Sequence, residues 1–375
     1  MKPKLIILGT NEYQNPLIVR AKELGYETHV YGVPSGQIGE RNADVYHPIN
    51  IMDYEKLWED CKEIDASGVA SIASEVTMHP QNFLLRRLGI PCNGEWTEKV
   101  TTDKFLMRQA MKDAGIDSPK FALVTSEKSI SNIKEITKSF SYPLIVKPVD
   151  LSSSRGVYKI NTEIELEEGV NYAMVWSEQK KIIIEEYIDG PEYSGESIAY
   201  KGQYKLLAIT EKHTTGAPHF VETGHKEPAT LSLKMFDKVE QTLYRAFAAL
   251  KIEYGAIHPE FRITPEGRVM FMEIATRMGG DCIGSDLVPI STGMDFMGMV
   301  INVGCGIAPD YTPLWEPRVA EIKYIMNSGD LIEFEKIKKE TPSIITRQSE
   351  IQPLSNKPIL KSADRAGYYI TARKR

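Results

Sequence analysis

The sequence has few of the features that mark secreted, membrane-spanning or nucleic-acid-binding proteins. Cysteine is scarce: Cys61, Cys92, Cys282 and Cys305 are the four in 375 residues, and none falls in a Cys-x-x-Cys spacing. They point to unpaired thiols in a reducing compartment, so a cytoplasmic location is expected. No apolar run approaches the roughly 20 residues that cross a bilayer. The N-terminal run Leu5–Leu8 stops at once in Gly9-Thr-Asn, too short for a signal-peptide core and readable as a first strand. Basic charge is not in excess: 45 Lys and Arg face 51 Asp and Glu, a net charge of -6. That argues against a broad nucleic-acid or anionic-membrane surface, and neither partner is expected, although a local basic pocket stays compatible. The first strand runs into Gly9-Thr-Asn-Glu-Tyr-Gln-Asn15 and not into three spaced glycines, which weighs against a nicotinamide dehydrogenase. Internal repeats, low-complexity segments and a convincing Ser-His or Cys-His nucleophile pair are also missing.

What is present fits an ordinary soluble protein of two or three domains, with 42% hydrophobic and 26% charged residues. Over the first hundred residues strands at Leu5–Leu8, Glu27–Val33, Ala43–Ile49 and Val69–Ala73 alternate with helices at Pro16–Leu24, Tyr54–Ile64 and Pro80–Leu88. Such alternation predicts a parallel sheet with helices on both faces. A helix is expected over Thr102–Ala114, closed by Gly115. From Lys120 to Glu186 the order strand, helix, strand, loop, strand, helix, strand reads as a small α+β unit, and Asp189-Gly-Pro191 separates it from the next segment. Ser194–Thr210 is strand-rich, Lys234–Leu250 is a long amphipathic helix, and strand patterns return at Val319–Met326 and Tyr368–Ala372.

The densest chemistry lies in Ala256–Arg277. Ala256–Ile263 reads as a strand, Thr264–Arg268 as a turn and Val269–Ile274 as the return strand. Glu260 and Glu273 sit on these apolar segments. A buried carboxylate has to be paired or metal-bound, and two close together repel unless a cation lies between them. A divalent metal is the economical reading, with Arg277 as a fixed positive charge. Either glutamate alone would suit a solvent-facing hairpin; Arg277 and Gly279-Gly280 tip the balance to a site. Cys282, close by, is expected to serve as a small buried residue.

Tyr142–Lys147 is an apolar strand ending in lysine, followed by Leu151-Ser-Ser-Ser-Arg-Gly156. Small residues before Arg-Gly let backbone amides approach an anion, and Lys147 would meet phosphate oxygens as a point charge. Lys181–Ile188 offers an apolar floor for an aromatic ring, with the backbone of Glu186 and Ile188 at its edge; an interdomain linker would show the same pattern.

Lys104, Lys147, the Ser152–Gly156 loop, Glu185–Ile188, Glu192, Glu260, Glu273 and Arg277 occur in the order seen in ATP-grasp enzymes. Over nearly the whole chain the sequence resembles that superfamily, with its biotin carboxylase and L-amino acid ligase branches. The resemblance implies a mixed α/β and α+β fold. An N-terminal Rossmann-like parallel α/β domain would span 1–100. An ATP-grasp domain would span 101–310, with a lid at about 118–188, and a C-terminal α+β region 311–375. Lys104 and Lys147 look like the phosphate-holding lysines. Ser153, Ser154 and Gly156 look like the loop over the phosphates. Glu185, Glu186 and Ile188 look like the adenine clamp, and Glu192 is similar to the ribose-binding glutamate. Glu260 and Glu273 look like magnesium ligands, and Arg277 looks like the arginine that steadies an acyl phosphate, so Lys147 and Arg277 are the expected catalytic pair. The family's Glu-Ile-Asn-Pro-Arg is here Glu273-Ile-Ala-Thr-Arg277, so Ala275 replaces a further metal ligand, with water or a bidentate Glu273 as substitute.

The segment Thr210–Pro228 is the expected specificity element, and its Phe220-Val-Glu-Thr-Gly-His-Lys-Glu-Pro228 resembles the Phe-Val-Glu-x-Gly-His-x-x-Pro stretch of the L-amino acid ligase branch. Glu222 is expected to bind a substrate ammonium and His225 to orient a carboxylate or relay a proton. Gly279 and Gly280 would let backbone approach the substrate, and Asp281 would bind an amine; bracing of the loop is the competing role. His213, His219 and His225, spaced by six, suit zinc poorly. The implied activity is that of an ATP-dependent ligase. It would phosphorylate a small-molecule carboxylate and join the acyl phosphate to an amine, releasing ADP and phosphate. ATP and Mg2+ are the expected cofactors, with Mn2+ as an alternative metal, and a homodimer is compatible with the family. Two alternatives remain: a carboxyphosphate-forming enzyme of the biotin carboxylase or carbamoyl phosphate type, and a catalytically silent ATP-binding regulator.

Overall fold

The computed structural model describes residues 2–151, 155–217, 220–355 and 357–375. Its first sheet joins β1 (Lys4–Leu8), β2 (Glu27–Tyr31), β3 (Val45–His47) and β4 (Gly68–Ala70) in the order β3-β2-β1-β4, all parallel. Leu5–Leu8 are fully buried because both faces are covered. Leu5 and Ile7 enter one core, while Ile6 and Leu8 enter another, the period-two alternation of a strand. The expected strand over Ala43–Ile49 shrinks to β3, because Ile38–Asn42 forms a short helix first.

The second sheet is the small unit read from the sequence. It joins β5 (Phe121–Thr125), β6 (Leu144–Pro148), β7 (Tyr158–Ile160) and β8 (Lys181–Glu186) in the order β5-β8-β6-β7, all antiparallel. Helices Ile130–Thr137 and Leu166–Trp176 close its own core around Val146, Leu166 and Ile184.

The third sheet is the largest. Its strands are β9 (Glu192–Tyr200), β10 (Gln203–Thr214), β11 (Glu222–Glu227), β12 (Tyr254–Ile263), β13 (Val269–Ala275), β14 (Arg318–Ile325), β15 (Ile345–Gln348) and β16 (Gly367–Lys374), in the order β13-β12-β9-β10-β11-β14-β16-β15. Helix Leu233–Ala249, capped by Ser232, buries Val239, Leu243, Ala246 and Phe247 against one face. That spacing is one helical stripe. On the other face Phe296–Gly304 packs toward the parallel sheet, where a Cβ on Gly304 would collide with the Val69 carbonyl. Among the described residues no single helix is long and apolar enough to cross a membrane. Among the described residues the last sixty make no sheet of their own, since β14, β16 and β15 extend this one.

The helix expected over Thr102–Ala114 runs from Lys104 to Asp113, and a second helix, Glu95–Thr102, precedes it where none was expected. Asp103 parts them: its backbone is extended, and its carboxylate accepts from the N–H groups of Phe105 and Leu106, a helix N-cap. The break puts Lys104 in a first turn.

Glu227, at the end of β11, is fully buried and accepts from Ser291 Oγ at 2.5 Å and Thr210 Oγ1 at 2.6 Å. Burial pushes its carboxyl up to about 8 against these two hydrogen bonds. The folded chain therefore keeps a proton that the unfolded chain loses above its ordinary carboxyl range. Stability from this group is full at low pH and is lost as pH rises through about 8, bounded by roughly 1.4 kcal/mol per pH unit. Glu227→Gln should melt above the wild type at pH 8, and the gap should close toward pH 5; an equal gap at both values contradicts the assignment.

Candidate active site

Antiparallel pairing of β12 with β13 sets Glu260 opposite Glu273, which brings facing Cβ atoms to about 5 Å. The ladder shifts between Glu260 and Phe261, so Glu260 faces the cavity while Phe261 faces the core. Neither carboxylate is sealed: their side chains are 27% and 19% exposed, less buried than the apolar run suggested. Each already meets an ammonium. Lys104 Nζ donates to Glu273 Oε1 at 2.9 Å and to the Leu151 carbonyl at 2.7 Å, while Lys212 pairs with Glu260.

These residues line one cavity of about 400 Å³ between the second sheet and the large sheet. At one end Lys147, 10% exposed, reaches Glu185 at 2.5 Å, and Arg108 Nε reaches the same carboxylate at 2.8 Å. Burial would raise Glu185, yet Arg108 and Lys147 hold it at about 2. Burial lowers Lys147 below an ordinary lysine, with Glu185 resisting. Burial also opposes the Lys104 charge, but Glu273 and Glu75 keep its pKa above the usual value.

The Glu185 carboxylate is thus committed to two cations. Around it the Glu186 N–H donates to the Lys120 carbonyl, and the Ile188 carbonyl accepts from Arg262 Nη1 at 2.9 Å. Glu192 accepts from Arg262 Nη2 at 3.1 Å.

In the middle of the cavity Arg277 donates to Glu75 Oε1 at 3.0 Å and to the Met278 carbonyl at 3.0 Å. Its Nε is buried without a partner among the described residues. Burial raises Glu273 above an ordinary carboxyl, Lys104 opposing and Glu75 and Glu260 adding to the rise. For Glu260, burial is outweighed by Lys212 and His258, and its pKa falls well below the usual range. His258 itself is held by Glu196, Nδ1 to Oε1 at 2.5 Å.

At the far end Glu222, His225, Gly280 and Asp281 also line the cavity. His225 is 1% exposed, and burial followed by Lys212 pushes it down to about 3, so its ring is neutral. Gly279 stands behind the wall: its N–H donates to Glu196 Oε2 at 3.1 Å, and a Cβ there would press on Glu196 and His258. Gly156, with φ 73°, packs on Pro148 and Trp176. Ser153 and Ser154 of the loop, and His219, lie outside the described residues.

Two carboxylates in facing register, with room between the second sheet and the large one, suit a magnesium ion, which takes one or two carboxylates and fills its octahedron from phosphates and water. Among the described residues no three His, Cys, Asp or Glu side chains form a closed cage, and Ala275 lines the cavity without a ligand atom.

Sequence reasoning passed over Glu75, Arg108, Lys212, Arg262 and the Glu196–His258 pair. Arg108 carried a signal: it shares the buried stripe of its helix with Lys104, Met107 and Met111, where an unpaired cation does not belong. Glu75 carried none, because only folding brings it to Arg277.

Residues 140–285 match the family model of the ATP-grasp domain. The chain is 26% identical over 68% of its length to the uncharacterized protein y4rH of Sinorhizobium fredii, of which it spans 52%. It is 28% identical over 70% of its length to a D-alanine–D-alanine ligase of Flavobacterium johnsoniae, covering 86% of it. All of the chain superposes on 94% of an L-amino acid ligase from Bacillus licheniformis, with a TM-score of 0.83 at 21% identity. The chain carries an ATP-grasp domain and has the ATP-grasp fold.

Removing Arg108 would leave Glu185 buried beside a single cation. Arg108→Met should cost about 3–5 kcal/mol of stability, read from urea unfolding; an unchanged midpoint would mean that the pair is not structural.

Proposed function

We propose that this ATP-grasp chain is a carboxylate–amine ligase: it transfers the terminal phosphate of ATP to a small-molecule carboxylate and joins the acyl phosphate to an amine. The observation that supports this most is the facing pair Glu260 and Glu273, flanked by Lys104, Lys147 and Arg277 on one cavity. Phosphoryl transfer asks for positioning and charge neutralisation more than covalent help, and these are cations and carboxylates without a nucleophile.

In this reading Lys104 and Lys147 hold phosphate oxygens, Glu192 takes the ribose hydroxyls, and the Glu186–Ile188 backbone borders the adenine. Arg277 meets the acyl phosphate, and its unpartnered Nε leaves a free donor. Glu260 and Glu273 would hold Mg2+, which would neutralise the phosphates, with water or a bidentate Glu273 in place of the ligand that Ala275 lacks. Lys104 and Lys212 balance these carboxylates in the structure, so binding exchanges partners and does not expose bare charge. Glu222, His225, Gly280 and Asp281 would face the substrates.

The test is release of ADP and phosphate from ATP and Mg2+ with pooled amino acids, other small acids or bicarbonate. Release dependent on an acid and an amine is expected. Release needing bicarbonate alone would point instead to carboxyphosphate chemistry, and ATP binding without release in any pool to a regulator. Glu273→Ala should lower turnover at least a hundredfold while keeping a folded melting transition; turnover like the wild type would remove the metal assignment.

A further inference from the structure

Away from the central cavity, the edge of the first sheet carries a line of titratable side chains. Glu27, His29 and Tyr31 share one face of β2, since strand residues two apart point the same way. His47 stands on β3 directly opposite Tyr31, its ring stacked on the phenol at 4.3 Å. Asp60 reaches the same groups from the helix Tyr54–Cys61. The line is continuous. His29 Nε2 meets Glu27 Oε1 at 3.0 Å, His29 Nδ1 meets His47 Nε2 at 3.0 Å, and His47 Nδ1 meets Asp60 Oδ2 at 2.6 Å. The Tyr31 hydroxyl donates to that same Asp60 oxygen at 2.6 Å. The imidazoles are shielded, 9% and 15% exposed, while Glu27 and Asp60 at the two ends are 38% and 36% exposed.

The two rings make three contacts, and each contact needs one hydrogen. An ionised carboxylate only accepts, so His29 Nε2 and His47 Nδ1 each carry a proton. Two neutral rings then have none left for the contact between them, and two lone pairs would face each other at 3.0 Å. Two charged rings would set N–H against N–H at the same place. One extra proton shared by the pair completes all three bonds, and moving it onto either carboxylate keeps the count at three. The neighbouring groups do not supply it. Lys4 stands opposite Glu27 on β1 and meets neither ring in register. Burial raises Tyr31, so its hydroxyl stays a donor, and burial pushes the Cys61 thiol up to about 11. Burial lowers His47, Asp60 opposing and a charge on His29 adding to the fall, so the pair resists a second proton.

We propose that His29 and His47 form a one-proton switch on the sheet edge: one shared proton docks β3 against β2 and the helix over it, and loss of that proton or gain of a second releases it. β3 spans three residues, so its side chains carry much of its attachment. The His47 carbonyl accepts from the Gly32 N–H at 3.3 Å, and the Tyr31 carbonyl accepts from the Gly9 N–H at 2.9 Å. Gly9 begins the loop that carries Tyr13 to the cavity wall, which places the switch at the root of that loop.

The proposal stands independently of the ligase reading. The test is NMR of the full chain with 15N-labelled histidine, from about pH 5 to pH 9. Near neutral pH one N–H is expected on His29 Nε2, one on His47 Nδ1 and a third between the rings, coupled to both nitrogens. Below about pH 6.5, the ordinary histidine value, the unfolded chain takes up a proton at His47 that the folded chain resists. Stability is therefore full above that pH and falls as pH drops through it. Exchange of the Gly32 amide, corrected for its intrinsic rate, should speed about tenfold from neutral pH to about pH 5. His47→Gln and His29→Gln should each remove the third N–H and flatten the fall of the urea midpoint at low pH. If neither variant folds, the labelled wild type decides alone. Rings that titrate independently, no N–H between them at any pH, or folded variants with the wild-type pH dependence would overturn the proposal.

Discussion

A carboxylate or ammonium withdrawn from water must find its opposite, and the central cavity is organised around that requirement. Glu185 is buried because Arg108 and Lys147 both reach it. Glu273 is matched by Lys104, Glu260 by Lys212, and Glu75 by Arg277. The matching is mostly pairwise and each partner comes from a different element, so the second sheet, the large sheet and the segment after β4 are tied together by charge as well as by packing. Such pairs add little net stability compared with apolar residues of similar shape, yet losing one partner is costly.

That arrangement also explains how a rigid sheet can serve a ligand that arrives with several negative charges. In the proposed reading Lys104 turns from Glu273 to a phosphate, and a metal ion takes the place of Lys104 and Lys212 on the two carboxylates. Strand register supplies the precision: β12 and β13 hold the two glutamates opposite each other, while Phe261 and Phe271 anchor the hairpin in the core beneath. Placing a site on strands and not on loops keeps it close to its working geometry.

Much of this was legible in the sequence because it is local. The hairpin of Glu260 and Glu273, the strand ending in Lys147, the helix Leu233–Ala249 and the parallel order of the first sheet follow from periodicity and turn residues. The helix start at Thr-Thr-Asp103 was legible as a capping signal, whereas the helix Glu95–Thr102 before it was missed. Glu75 and Lys212 were not legible as members of the site. Their partners lie 202 and 48 residues away.

By itself the sequence determined most of the strands and long helices, which of them carry charge on apolar faces, and the order of residues that resembles a nucleotide-dependent ligase. Local periodicity and backbone chemistry suffice for that. Tertiary structure alone decided which acid meets which base, that β14–β16 extend the central sheet, and that the C-terminal segment brings Ser362 to the cavity. Ion pairing depends on distances of a few ångströms between residues far apart in the chain, and only the packed fold sets them.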